Sequence, residues 1–197
     1  MSRPRVILKF ATSLDGCFDD VCVSRHVFSS PEDRAEVLEL RGSSDAILIG
    51  AETLRRDDPS LLVTEDLAVQ RLARGLEAQP IRVVLTLSAK LDLGLKFFTT
   101  AGRKLVYTTK QGRDNLMPDV FGLAEVIVLT ETDNLPLELV LADLSARGVS
   151  ELLVEGGPGI SELFLKAKVV DKLRIALAPY TLEEGPRLTV EAGVLFC

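Results

Sequence analysis

The sequence predicts an α/β fold: a mostly parallel sheet in three layers, with helices on both faces. Two observations carry that prediction. Short continuous apolar runs such as "DAILIG" lack the alternation of a half-wet strand, so they read as strands covered on both sides. Strand-like and helix-like stretches also alternate along the chain, the order that lays each strand parallel to an earlier one.

Each element has its own local signal. "RVILKFATSLDG" opens with a strand at about residues 5–11 and ends in a polar turn. "SSPEDRAEVLELRG" carries a helix start, with Ser30 as N-cap, Pro31 at the first helical position, and Glu32 and Asp33 in the first turn. Arg41 and Gly42 supply its stop. "DAILIG" is the second strand, and the short helix "AETLRRDD" after it is broken by Pro59. Residues 64–79, "TEDLAVQRLARGLEAQ", are either a helix or an insertion between strands. "IRVVLTLS", "KLVYTT" and "AEVIVLT" read as three strands, followed by the helix "LELVLADLSARG" with Arg147 and Gly148 at its end. "SELLVEGG" is a strand, "ISELFLKAK" a helix and "DKLRIALAPY" a last long strand. With no repeat, low-complexity tract or linker, one domain over residues 1–197 is expected.

Composition narrows the function. A formal charge of −6 without a basic stripe argues against nucleic-acid binding, yet local arginines and helix N-termini remain able to hold a small anion. Cys17, Cys22 and Cys197 form no CxxC pair, which suits a reduced, cytoplasmic protein. His26 is the only histidine, so no zinc ligand set and no metal are expected. No apolar run approaches the ~20 residues of a membrane span, and the N-terminus has no apolar signal core, so no membrane partner is expected.

Neither G-x-G-x-x-G nor G-x-x-x-x-G-K-[ST] is present, and no G-x-S-x-G elbow accompanies His26, which reads as a loop residue. The informative stretch is "LLVEGGPGI": a buried strand ending in Glu155, then Gly156, Gly157, Pro158, Gly159 and Ile160. Glycines can take positive φ and let a ligand lie against the backbone, and a helix start offers free N–H groups to a diphosphate. A sharp turn explains an isolated glycine pair equally well. Glu155 is harder to explain that way, because the C-terminal edge of an open parallel sheet is where ligands bind. In "LIGAETLRRDDPSLLV", Thr53 and Asp57 share a helical face at i and i+4. In "ATSLDG", Ser13, Asp15 and Gly16 make a polar turn at the end of the first strand. Three such turns at three strand ends would line one crevice.

Taken together, "SLDG", "SSPEDRAEVLELRGSSDAILIGAETLRRDDPSL", "PIRVVLTLS", "LLVEGGPGI" and "VVDKLRIALAP" resemble the pyrimidine reductase family of riboflavin biosynthesis, over most of residues 5–180. The resemblance implies a dihydrofolate-reductase-like fold, a homodimer, and NADPH-dependent reduction of a phosphoribosylaminopyrimidine to its ribitylamino product. By residue match it assigns Ala11, Thr53, Asp57, Ser88 and Gly156 through Ile160 to the cofactor. It assigns Arg41, Leu61, Glu155 and the pair Ser24-Arg25 to the substrate. Glu155 and Asp15 are candidates for delivering a proton, and water is another. An arginine often found after "DDPxLxV" in the family is Thr64 here, so one substrate-phosphate contact is either lost or supplied by Arg25. The stretch after "ALAPY" is short, and the zinc-binding deaminase of the bifunctional members has no counterpart in this sequence. The competing readings are a reductase of the same fold with another small substrate, and a non-catalytic nucleotide-binding paralogue.

Overall fold

The computed structural model describes residues 3–19 and 28–189. The first half runs β1 (Arg5–Ser13), α1 (Pro31–Ser43), β2 (Ala46–Gly50), α2 (Ala51–Asp57), α3 (Glu65–Ala73), β3 (Ile81–Thr86) and α4 (Lys96–Thr99). The second half runs β4 (Lys104–Thr108), α5 (Lys110–Asp114), α6 (Val120–Leu123), β5 (Glu125–Val128), α7 (Leu137–Ala146), β6 (Glu151–Glu155), α8 (Pro158–Lys166) and β7 (Lys172–Ala178). The strands form one seven-stranded sheet in the order β5-β4-β3-β2-β6-β1-β7. All six neighbouring pairs are parallel, more uniformly than the sequence predicts.

Side-chain alternation along the strands builds two cores. Val6, Leu8, Leu48, Leu152 and Val154 face one side, where Val140 and Leu144 of α7 and Phe164 and Leu165 of α8 cover them. Ile7, Ile47, Ile49 and Leu153 face the other, covered by Leu54 of α2, Phe97 and Phe98 of α4, and Leu40 of α1. Among the described residues no helix is long and apolar enough to cross a membrane.

The expected N-cap of α1 is present: the Ser30 side chain accepts from the Asp33 N–H, and Pro31 opens the helix. The segment 64–79, open in the sequence, contains α3, capped by the Thr64 side chain. Helix α3 lies against α1, with Leu67 packed where a Gly42 side chain would have to be. From α3 the buried Arg71 donates to the carbonyls of Gly42 and Ser44 at 3.1 and 2.6 Å, satisfying the end of α1. Arg82, buried on β3, does the same for a loop, donating to the carbonyls of Thr100 and Ala101 at 3.2 and 2.6 Å.

Candidate active site

The C-terminal ends of β1, β2 and β6 are neighbours in the sheet, and a cleft of about 930 Å³ opens over them. Its wall includes Ala11, Arg41, Thr53, Asp57, Leu61, Glu155 and the whole turn from Gly156 to Ile160. So residues assigned separately to cofactor and substrate come together in one concavity.

One wall is the β6–α8 turn. Neither Gly156 nor Gly157 has the positive φ that is one of the two reasons the sequence suggests for them; Gly157 is extended, at φ −70° and ψ −174°. At Gly156 space makes the demand instead. A Cβ on Gly156 would lie 2.9 Å from both Cβ and Cγ2 of Ile160, and one on Gly50 would lie 2.5 Å from Ile160 Cγ1. Ile160 thus wedges the first turn of α8 against the ends of β2 and β6. The Gly157 N–H donates to Thr53 Oγ1 at 3.2 Å, tying α2 to this turn. The N–H groups of Gly159 and Ile160, in the first turn of α8, have no intrahelical partner, and a Cβ on Gly159 would meet nothing within 4 Å. Open space beside free amides at a helix start suits a dinucleotide's diphosphate.

The other wall is charged. Arg41 Nε and Nη2 donate to Glu155 Oε1 and Oε2 at 2.6 and 2.7 Å, a bidentate pair only 16% and 17% exposed. Burial works to lower the Arg41 pKa, but the bonds and charge of Glu155 outweigh it and the group is raised. Beside it Lys9 Nζ meets Asp33 Oδ1 at 2.5 Å, with the side chains 4% and 9% exposed. The β1–β6 register sets Lys9 opposite Glu155, so both ion pairs join adjacent strands to α1. Asp33 Oδ2 is buried without a hydrogen-bond donor among the described residues. Lys9 and Asp33 are site residues that motif reasoning missed. The available signal was a lysine inside a strand otherwise buried on both faces.

Two assignments part from the cleft. Asp15 does not line it. Its Oδ1 accepts from Ser13 Oγ at 2.5 Å and the Leu182 N–H at 3.2 Å; its Oδ2 accepts from the Glu183 N–H and Arg187 Nη2 at 2.9 and 2.8 Å. The Ser13 bond first, then Arg187 and the two amides, hold this carboxyl well below its usual range. These bonds fasten the chain after β7, and Asp15 stands outside the cleft wall where the expected proton donor would have to be. Ser88 is exposed on the loop after β3, outside the cleft wall. Leu61 is buried in the wall at φ 55°, an unusual conformation for a leucine. Ser24, Arg25 and His26 lie outside the described residues.

An all-parallel α/β sheet with a glycine-walled crevice over its central strand ends defines a ligand-binding protein of dihydrofolate-reductase-like fold. Residues 4–195 match the family model described as the RibD C-terminal domain, and the chain belongs to that family. It is 33% identical over 195 residues to the 2,5-diamino-6-ribosylamino-4(3H)-pyrimidinone 5′-phosphate reductase of Archaeoglobus fulgidus, covering 98% of this chain and 89% of that one. It is 32% identical over 196 residues to the riboflavin biosynthesis protein RibD of Chlamydia pneumoniae, covering 98% of this chain and 50% of that longer protein. Among solved structures it resembles a pyrimidine reductase-like protein from Corynebacterium diphtheriae, with a TM-score of 0.81, 25% identity, and coverage of 96% and 81% of the two chains.

Proposed function

We propose that the chain is an NADPH-dependent reductase of riboflavin biosynthesis. Its substrate would be 5-amino-6-(5-phosphoribosylamino)uracil or the 2,5-diamino analogue, and its product the ribitylamino compound. The observation that carries this reading is the pairing of two unlike walls in one cleft, a glycine turn with free amides and a wall of buried ion pairs. The names of the relatives support the substrate class.

Thr53, Asp57, Ala11 and residues 156–160 would hold the dinucleotide, which supplies the hydride; the preference for its 2′-phosphate form comes from the family resemblance. Glu155, gripped by Arg41, retains acceptor capacity for the N–H groups of an aminopyrimidine, since each carboxylate oxygen can take more than one donor. Lys9, held by Asp33 beside Glu155, offers an N–H to a substrate oxygen or nitrogen. These fixed charges orient the acceptor carbon without a protein nucleophile. A homodimer also belongs to this reading. It is supported by β7 at the sheet edge, where Ile175 and Leu177 are 45% and 62% exposed.

The decisive assay is loss of reduced-nicotinamide absorbance with NADPH and the ribosylaminopyrimidine phosphate. Wild-type turnover, abolished in Glu155→Gln with NADPH affinity kept, supports the assignment. Equal loss of turnover and NADPH binding sinks the substrate role of Glu155. Binding of NADPH without turnover points to another substrate, and no NADPH binding to a non-catalytic protein.

A further inference from the structure

We propose that Arg34 holds the phosphate of the substrate, a role that rests on the reductase reading above. The relatives' substrate is named as a 5′-phosphate, a dianion for which the cleft needs an uncompensated cation. Four cations line the cleft among the described residues: Lys9, Arg34, Arg41 and Arg56. Lys9 is neutralised by Asp33 at 2.5 Å, Arg41 by Glu155 at 2.6 Å and Arg56 by Asp19 at 2.6 Å. Arg34 has no carboxylate partner among the described residues. Its Nε and Nη2 donate to the Ser29 carbonyl at 3.3 and 3.2 Å. Two of the five guanidinium N–H groups are thereby used and the rest are available.

Position points the same way. Arg34, Val37 and Arg41 line the cleft at i, i+3 and i+7, one face of α1. At 1.5 Å per residue Arg34 stands about 10.5 Å along the helix from Arg41. With the pyrimidine at Arg41–Glu155, that face offers an apolar side chain next and a cation last, matching a ring, an extended five-carbon chain and a terminal phosphate. Arg34 is exposed at the lip, so a bound dianion keeps part of its hydration. The glycine turn that suits the dinucleotide belongs to α8, which packs on the opposite face of the sheet from α1. The Thr64 side chain accepts from the Leu67 N–H and caps α3.

The test compares wild type, Arg34→Met and Arg34→Lys on the ribosylaminopyrimidine with and without its phosphate, with the KM for NADPH measured alongside. Losing a charge-assisted contact of this kind lowers kcat/KM for the phosphorylated substrate roughly ten- to hundredfold. The loss falls mainly in KM, because the phosphate does not react. The expected result is that wild type prefers the phosphorylated form, Arg34→Met treats the two forms alike, and Arg34→Lys recovers part of the preference. If Arg34→Met keeps the wild-type preference, the subsite is wrong while the reductase reading stands. A rise in the NADPH KM with an unchanged substrate preference moves Arg34 to the cofactor and also overturns it. If wild type binds NADPH yet reduces neither form, the reductase reading fails and takes the subsite with it.

Discussion

Alanine at Gly50 tests the joint that shapes the glycine wall. Its Cβ would lie 2.5 Å from Ile160 Cγ1 and 3.2 Å from Cδ1, where ordinary contact begins near 3.4 Å. Ile160 cannot rotate away freely, because its branched Cβ restricts χ1 and because it also abuts Gly156. The first turn of α8 must give by close to ~1 Å, an overpacking strain that costs about 1–3 kcal/mol. Taking about 2 kcal/mol, and a urea slope of about 2 kcal/mol/M for a domain of this size, the unfolding midpoint should fall by about 1 M. The check is a double-mutant cycle by urea denaturation. Ile160→Ala removes Cγ1 and Cδ1 and leaves Cβ 3.9 Å from the new methyl, an ordinary contact. The double variant should therefore be more stable than the sum of the two singles predicts, by about 2 kcal/mol, the clash having no second party. NADPH affinity should drop in Gly50→Ala and return toward wild type in the double. Additivity within about 0.5 kcal/mol would refute the wedge, since sites that do not touch add to that precision.

Arg71→Met should cost about 3 kcal/mol in urea denaturation, because the buried carbonyls of Gly42 and Ser44 lose their donor; a cost under about 1 kcal/mol would mean that water replaces it. Asp15→Asn removes the Arg187 ion pair and should speed amide exchange across residues 179–189 while sparing the β2–β3 core, with uniform exchange counting against a local fastening. Glu162 accepts from Thr189 Oγ1 and the Thr189 N–H at 2.6 Å, and those bonds, then Lys166, lower its carboxyl to about 2 from the 4.5 of a free glutamate. A lowered folded-state value means that its stabilising contribution is complete above pH 4.5 and lost as pH falls through about 2; an NMR carboxyl titration with a midpoint near 4.5 would refute this.

The backbone plan was largely legible. All seven strands were read from the sequence, most of them as short apolar runs; the cap at Ser30 and Pro31 marks the start of α1, and the stop at Arg41 and Gly42 lies within two residues of its observed end at Ser43. The site was legible where motif residues project from strand ends, as with Glu155, Thr53 and the turn at 156–160. It was illegible where the meaning of a residue depends on a distant partner. Arg41 reads as a helix-end arginine until β6 brings Glu155 to it from 114 residues away. Asp15 reads as a polar residue at a catalytic turn until Arg187 and the amides of 182 and 183 claim its oxygens. The positive φ expected at Gly156 and Gly157 is absent, and at Gly156 a steric limit set by Ile160 takes its place, a property of packing rather than of local conformation.

The stretch after β7 bears on the cleft, and the geometry gives its described part a definite task. Residues after Ala178 turn back over the β1 loop instead of continuing away from the sheet. The Phe18 N–H donates to the Pro186 carbonyl at 2.8 Å, and Asp15 accepts from the amides of Leu182 and Glu183. A Cβ on Gly185 would lie 2.0 Å from the Asp19 carbonyl oxygen, so only glycine permits this approach. Farther on, Thr189 fastens to Glu162 on α8, the helix whose first turn forms the glycine wall. The strap therefore ties β1 to α8 across the end of the cleft and contributes Pro186 to its lining. Asp15 acts on the cleft through this strap, by holding one side of it in place, which is why an ionised carboxylate with every oxygen occupied belongs at the end of β1.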